Sequence, residues 1–279
     1  MSATNFISQK VNAQPPDVVT TKTRRAPRTY KALKGAGGIA TILVLGQILP
    51  LSIFAGQGFP TTTEIIWSIS QLLISGTTWF AVGQTLLGWF IGFSIASIIA
   101  IFSGMAIGSF TSVHTAFNLP VEFLRVIPPI ILIPVVVLIQ GPTLSMKITL
   151  TIIGAIWPVL HQTIYGLRTI DQTIKDTTRI YRFSSLKKIF GVIVPASLPY
   201  IVTGLRIGAT IGIMVAIVAE MVGGAPGLGQ ELYLAQTNGQ YADMMSFLIL
   251  AGVLGMCINS GLRFIEKTSL GWHPSQRSN

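Results

Sequence analysis

Charge is what this sequence has least of: Asp, Glu, Lys and Arg make up 10% of it, against 50% hydrophobic residues. A soluble domain carries about a quarter charged residues, so a chain with a mean hydropathy of +0.65 reads as an integral membrane protein. Lys and Arg are missing altogether between residues 35 and 124. Short alternating segments of the barrel kind are missing too, which leaves helices of about 20 apolar residues as the spanning elements. Cysteine is reduced to Cys257, in the last apolar run, so no internal disulfide can form. Three histidines and one cysteine give no metal-ligand spacing. No Ser-His-Asp set or pair of carboxylates is recognisable, so an intramembrane enzyme lacks its chemistry. A Gly-x4-Gly-Lys-Ser/Thr phosphate loop is also absent.

What charge there is lies in clusters. Of the 19 basic residues, seven fall between Lys10 and Lys34, six between Arg168 and Lys188, and three (Arg263, Lys267, Arg277) at or after the end of the last apolar run. A net charge of +10 spread over a surface would point to nucleic acid; held at these positions it follows the positive-inside rule and implies no such partner.

Six apolar runs read as spans, at 34–55, 79–103, 126–140, 144–167, 197–222 and 242–264. Pro128, Pro129 and Pro134 in the third predict a broken or short span buried in protein, lining a path or simply kinked for packing. The small residues of the second allow close helix packing. Segments 64–74 and 108–125 read as interfacial helices, outside and inside respectively. The expected organisation is a disordered basic cytoplasmic tail over 1–33, a transmembrane domain over 34–267 and a C-terminal cytoplasmic tail over 268–279. Both termini and the 168–190 loop then face the cytoplasm, and the 56–78 and 223–241 loops face outward.

The 168–190 loop breaks the apolar pattern. Asp171 or Thr169 can cap a first short helix bearing Ile174, Thr177, Thr178 and Tyr181, and Ser184 a second, the two meeting near Arg182–Phe183. Basic and amphipathic, this pair cannot be buried in lipid, and its apolar side suits a groove on another protein.

Here the sequence resembles the inner-membrane permeases of binding-protein-dependent ABC importers. Their EAA loop reads Glu-Ala-Ala, three residues, Gly, nine residues, then Ile-x-Leu-Pro. In this chain Asp176-Thr177-Thr178 takes the first places, Arg182 the Gly place, and Val192-Ile-Val-Pro195 the end, in register. The stretch from Pro195 to Gly208, Ala219-Glu220-Met221-Val-Gly-Gly and Trp272-His273-Pro274 are similar to the taurine/alkanesulfonate/nitrate/bicarbonate branch. The resemblance runs from about Phe59 to Arg277 and implies an all-α, polytopic type I ABC importer (MetI-like) fold with six transmembrane helices, in the bacterial inner membrane.

Under that resemblance the chain is no enzyme. It is a permease moving a small anionic solute by alternating access, with no cofactor of its own and ATP/Mg bound by partner subunits. Two ABC ATPase subunits, an extracytoplasmic substrate-binding protein and a second copy of the chain are its implied partners. Asp176, Thr177, Arg179, Ile180, Tyr181, Arg182 and Phe183 are the implied ATPase-coupling residues. Trp157, His161, Arg206, Met214 and Glu220 are the candidate pathway residues. Glu220 and Arg206, 14 residues apart in the fifth span, stand about 21 Å apart along a helix and cannot pair. Glu220 lines the pathway or outer gate, and Arg206 faces an anion or snorkels, unless each makes a structural hydrogen bond. Trp157 and His161 share one helix face, which lines a path or makes an interhelical bond. Lys147 is expected at the outer end of the fourth span, and Gly223–Gly229 as a flexible outer turn that a binding protein touches. An ATP-independent carrier or channel is the alternative; it would need more ionisable groups within the spans.

Overall fold

A computed structural model describes residues 28–52 and 58–269. The regular structure of the described residues is helical throughout. The chain divides into two units, 1–46 and 47–279, each considered by itself. The described part of the first is the opening stretch of helix α1 (Arg28–Ser52), which begins inside the segment expected to be tail. The rest of both expected tails, with Trp272, His273 and Pro274, lies outside the described residues, apart from 268–269 at the end of the last helix.

In the second unit, α2 (Thr62–Ile74) opens on a capping box: the Glu64 N–H donates to Thr61 Oγ1 at 3.3 Å, and the Thr61 N–H donates to Glu64 Oε2 at 2.7 Å. That backbone bond, helped by the Thr61 hydroxyl, holds the exposed Glu64 carboxyl below the usual range. Then come α3 (Gly76–Ser109), α4 (Thr111–Val126), a 3-10 turn (Pro129–Leu132), α5 (Ile133–Gln140) and α6 (Leu144–Arg168). Two short helices, α7 (Gln172–Ile180) and α8 (Ser185–Lys188), lead through a π turn (Ile189–Ile193) into α9 (Val194–Gly223). α10 (Leu228–Thr237) and α11 (Tyr241–Ser269) close the fold.

Among the described residues, four helical stretches are long and apolar enough to cross a membrane: Gly76–Ser109, Leu144–Arg168, Gly191–Gly223 and Tyr241–Thr268. The pair α4 and Pro129–Gln140, bent by 76°, makes a fifth if it is one broken span, and Ala40–Ser52 is a shorter apolar helix. Six spans is consistent with these elements. The bend falls where Pro128 and Pro129 forbid the α conformation to the residue before each and remove two N–H donors.

Helix direction supports that broken span. Cβ atoms built at Gly92 and Gly104 of α3 would stand 2.7 and 2.8 Å from the Cβ atoms of Thr151 and Thr163 of α6, and Gly88 and Gly108 face Lys147 and Leu167. Both residue numbers rise together, so α3 and α6 are parallel, and the chain between them must return across the bilayer. Residues 111–140 are that return. α9 runs antiparallel: its Gly204 and Gly208 meet Gln162 and Val159, and Ala209 O accepts a 2.9 Å bond from Trp89 Nε1 of α3. Close backbone contact through small residues is how membrane helices associate without a hydrophobic drive.

The third span differs from expectation in its burial. Ile133 and Val136 pack in a core with Met146, Leu150, Val215 and Ala219. Its other face, with Ile131, Val135 and Leu138, is exposed in the single chain, with no element of the described residues covering it.

Candidate functional site

The 168–190 loop is built by two caps. Asp171 Oδ1 accepts the Thr173 N–H at 2.8 Å and starts α7; the Thr173 backbone bond holds the Asp171 carboxyl below the usual range. α7 ends in a Schellman closure, with Phe183 N–H donating to Thr178 O and Arg182 N–H to Arg179 O, both at 3.1 Å. This motif needs a left-handed residue after the cap, and Arg182 adopts it with φ 48°. The residue at the Gly place of the EAA pattern thus holds the backbone that glycine would hold more cheaply. Ser184 then starts α8, its carbonyl accepting the Lys188 N–H at 2.9 Å.

The turn presents Ile180 and Tyr181, 78% and 72% exposed. The rings of Tyr181 and Phe183 lie 6.5 Å apart, and Lys187 Nζ sits 4.9 Å from the Phe183 centroid. Asp176, Thr177 and Arg179 lie exposed on α7. Asp176 Oδ1 accepts a 3.2 Å bond from Gln172, and Thr177 donates to Thr173 O at 2.7 Å. All seven coupling candidates therefore sit on one short, capped helix–turn–helix.

Glu220 has partners from three other parts of the chain. Lys147 Nζ lies 3.1 Å from its Oε1, both side chains fully buried. Its Oε2 accepts from Thr85 Oγ1 at 2.8 Å and from the Gly229 N–H at 3.0 Å. Lys147 also donates to Gln84 O at 2.8 Å and Pro226 O at 2.6 Å, and Thr85 accepts the Leu228 N–H at 2.9 Å. Lys147 is thus in the first turn of its helix, as expected, but turned into the protein rather than marking a solvent boundary. Gly223–Gly229 is likewise no loose turn. Gly224 ends α9 at φ 73°, and a Cβ at Gly227 would collide with the Glu220 carboxyl, one at Gly229 with Ile217 O. The glycines let the backbone close over the ion pair, and α10, which the sequence reading did not foresee, follows.

Arg206 pairs with Glu266 of α11 at 2.8 Å; residue 266 lies just beyond the span expected to end at 264. Met214 is 62% exposed on α9. Trp157 and His161 line a space of about 390 Å³ with Arg125, and His161 and Arg125 also line a neighbouring cavity of about 350 Å³ between α4 and α6. The structure thus brings Trp157 and His161 together with Arg125, while Arg206 and Glu220 are each held by an ion pair. Thr85 and Glu266 escaped the sequence reading, which placed Lys147 at a span end and Arg125 on a surface segment without a role for either. An isolated charge beside an apolar run was the available signal for the two cations; nothing local marks Thr85.

Residues 96–267 match the family described as binding-protein-dependent transport system inner membrane component. Over 85% of its length the chain is 28% identical to the nitrate import permease protein NrtB of Synechocystis sp., of which it covers 88%. The putative aliphatic sulfonates transport permease protein SsuC of Bacillus subtilis is 26% identical over 89% of this chain and 90% of its own. The bicarbonate transport system permease protein CmpB of Synechococcus elongatus is 31% identical over 63% and 64%. Among solved structures, an inward-facing MetNI methionine ABC transporter aligns at TM-score 0.57 and 21% identity over 73% of this chain and 97% of its own. An amino acid ABC transporter aligns at 0.60 and 13% over 71% and 97%. With the spans, the capped EAA-type loop and this match, the chain belongs to the family of binding-protein-dependent transport system inner membrane components.

Proposed function

We propose that this chain is the membrane-spanning subunit of an ATP-driven ABC importer for a small anionic solute of the nitrate, bicarbonate or sulfonate class. The capped 172–188 helix–turn–helix, with Ile180 and Tyr181 exposed at its apex, is the observation that carries the reading. A rigid pair offering apolar and aromatic side chains is suited to a groove on a partner. Its direct continuation into α6 and α9 makes it a handle on the spans. Two ATPase subunits dock there, one on each of two copies of the chain, and the loop transmits their closure as rigid-body rocking.

The open face of Pro129–Gln140 supports pairing with a second copy about a two-fold axis, which would cover apolar side chains that one chain leaves bare. The positive-inside distribution supports an orientation with both termini and the 168–190 loop in the cytoplasm. α10 and its Gly-rich approach then face outward, where a binding protein delivers solute.

Affinity purification of the tagged chain from its native membrane tests the docking role. The wild type is expected to bring down a stoichiometric ATPase. Tyr181→Ala with Phe183→Ala is expected to cut that yield at least about ten-fold, as loss of hot-spot aromatics does, with membrane insertion unchanged. Undiminished co-purification would remove the loop from the interface.

A further inference from the structure

Among the cations in or beside the spans of the second unit, Lys147, Arg206, Arg125 and Arg168 divide into two kinds. Lys147 and Arg206 are neutralised by Glu220 and Glu266. Arg125 and Arg168 have no carboxylate at ion-pair distance among the described residues, and both line the cavity of about 350 Å³ between α4 and the loop-side half of α6. His114 and His161 line it as well, and Glu122 is the one carboxylate there. The Nδ1 of His114 is buried without a hydrogen-bond partner. So is Trp157 Nε1, beside the adjoining space that shares Arg125 and His161. Much of the remaining wall is apolar, from residues such as Phe117 and Ile164. Buried donors without partners are uncommon and call for an explanation. Unpaired guanidinium and imidazole donors against apolar walls suit an oxyanion, which guanidinium binds through paired N–H groups.

We propose that this cavity holds the oxyanion group of the transported solute on the ATPase side of its path, with Arg125 and His161 as the principal contacts. The assignment rests on the anion-importer reading, and it moves the anion contact from Arg206, which Glu266 occupies, to Arg125. A nitrate, a bicarbonate and a sulfonate head all offer the required planar or tetrahedral oxygens. Glu122 repels a second negative charge, so a monovalent anion fits better than a divalent one.

Calorimetric titration of the full permease–ATPase complex in phosphatidylcholine nanodiscs, with nitrate and with methanesulfonate, reads the site without turnover. Saturable binding to the wild type is expected, weakened at least about ten-fold by Arg125→Gln, as loss of a charge-assisted bond implies. Arg125→Lys, which keeps the charge but loses the fork, should fall between. Arg206→Gln, at a paired residue, should titrate like the wild type. A phospholipid phosphate has the same chemistry. If neither anion binds but phosphatidylglycerol is retained by the wild type and lost from Arg125→Gln, the ligand is a lipid headgroup and the assignment to the transported solute is overturned. Equal behaviour of wild type and Arg125→Gln toward all three ligands would overturn the site. A complex that binds these anions yet drives no anion uptake with ATP would defeat the importer reading and leave the site intact.

Discussion

Arg182 carries a backbone conformation that suits another residue. Its φ of 48° costs a residue with a Cβ about 1–2 kcal/mol, and the Schellman bonds of Phe183 and Arg182 hold it there. Arg182→Gly is expected to stabilise the turn by about 1 kcal/mol, read as slower amide exchange at Phe183 and unimpaired ATPase co-purification; faster exchange would mean that the guanidinium holds the turn. The bend at this residue was legible from the cap candidates on either side of it, Asp171 or Thr169 before and Ser184 after. Lys147 was not legible in the same way. Its bonds to Gln84 and Glu220 close over 63 and 73 residues, and an ammonium at the end of an apolar run reads as a boundary until its partners are known. Removing one member of a buried pair leaves an uncompensated charge, at about 3–5 kcal/mol, whereas removing both can be nearly neutral. Lys147→Met should therefore lower the thermal stability of the solubilised complex sharply, and Lys147→Met with Glu220→Gln should recover most of it. Additive losses would mean that the two groups act separately.

At the scale of elements, apolar runs located the long helices because a bilayer demands about 20 apolar residues in sequence. Their ends were less legible: α3 extends from 76 to 109 rather than 79 to 103, since small and hydroxyl residues at its ends still pair their backbone groups within the helix. The break in the third span was legible from its prolines. The one-sided burial of Pro129–Gln140 was not, because which face meets protein depends on elements distant in sequence. α10 was missed for a similar reason. Its sequence carries no long apolar run, and what holds its first turn is the pair of N–H bonds from Leu228 and Gly229 to Thr85 and Glu220. Those two bonds tie the segment after α9 to α3 and back to α9, and Lys147 of α6 donates to Pro226 O, so this end of the unit is anchored by one polar cluster. The 168–190 loop anchors the other end of α6 and α9, and the Arg125 cavity lies along α6 between the two.

Across the molecule, a parallel α3 and α6 with an antiparallel α9 form a packed core whose ends are a buried ion pair and an exposed aromatic turn. Rigid helices joining those ends can carry a displacement at the turn across the bilayer. A channel or secondary carrier needs no such turn, and so ATP dependence separates the readings. The most direct measurement is uptake of nitrate, bicarbonate and methanesulfonate into liposomes holding this chain with the ATPase and binding protein that accompany it. The account predicts uptake of at least one of these anions that requires ATP and binding protein and is lost with Tyr181→Ala and Phe183→Ala. Solute movement through the chain alone, without ATP, would contradict it.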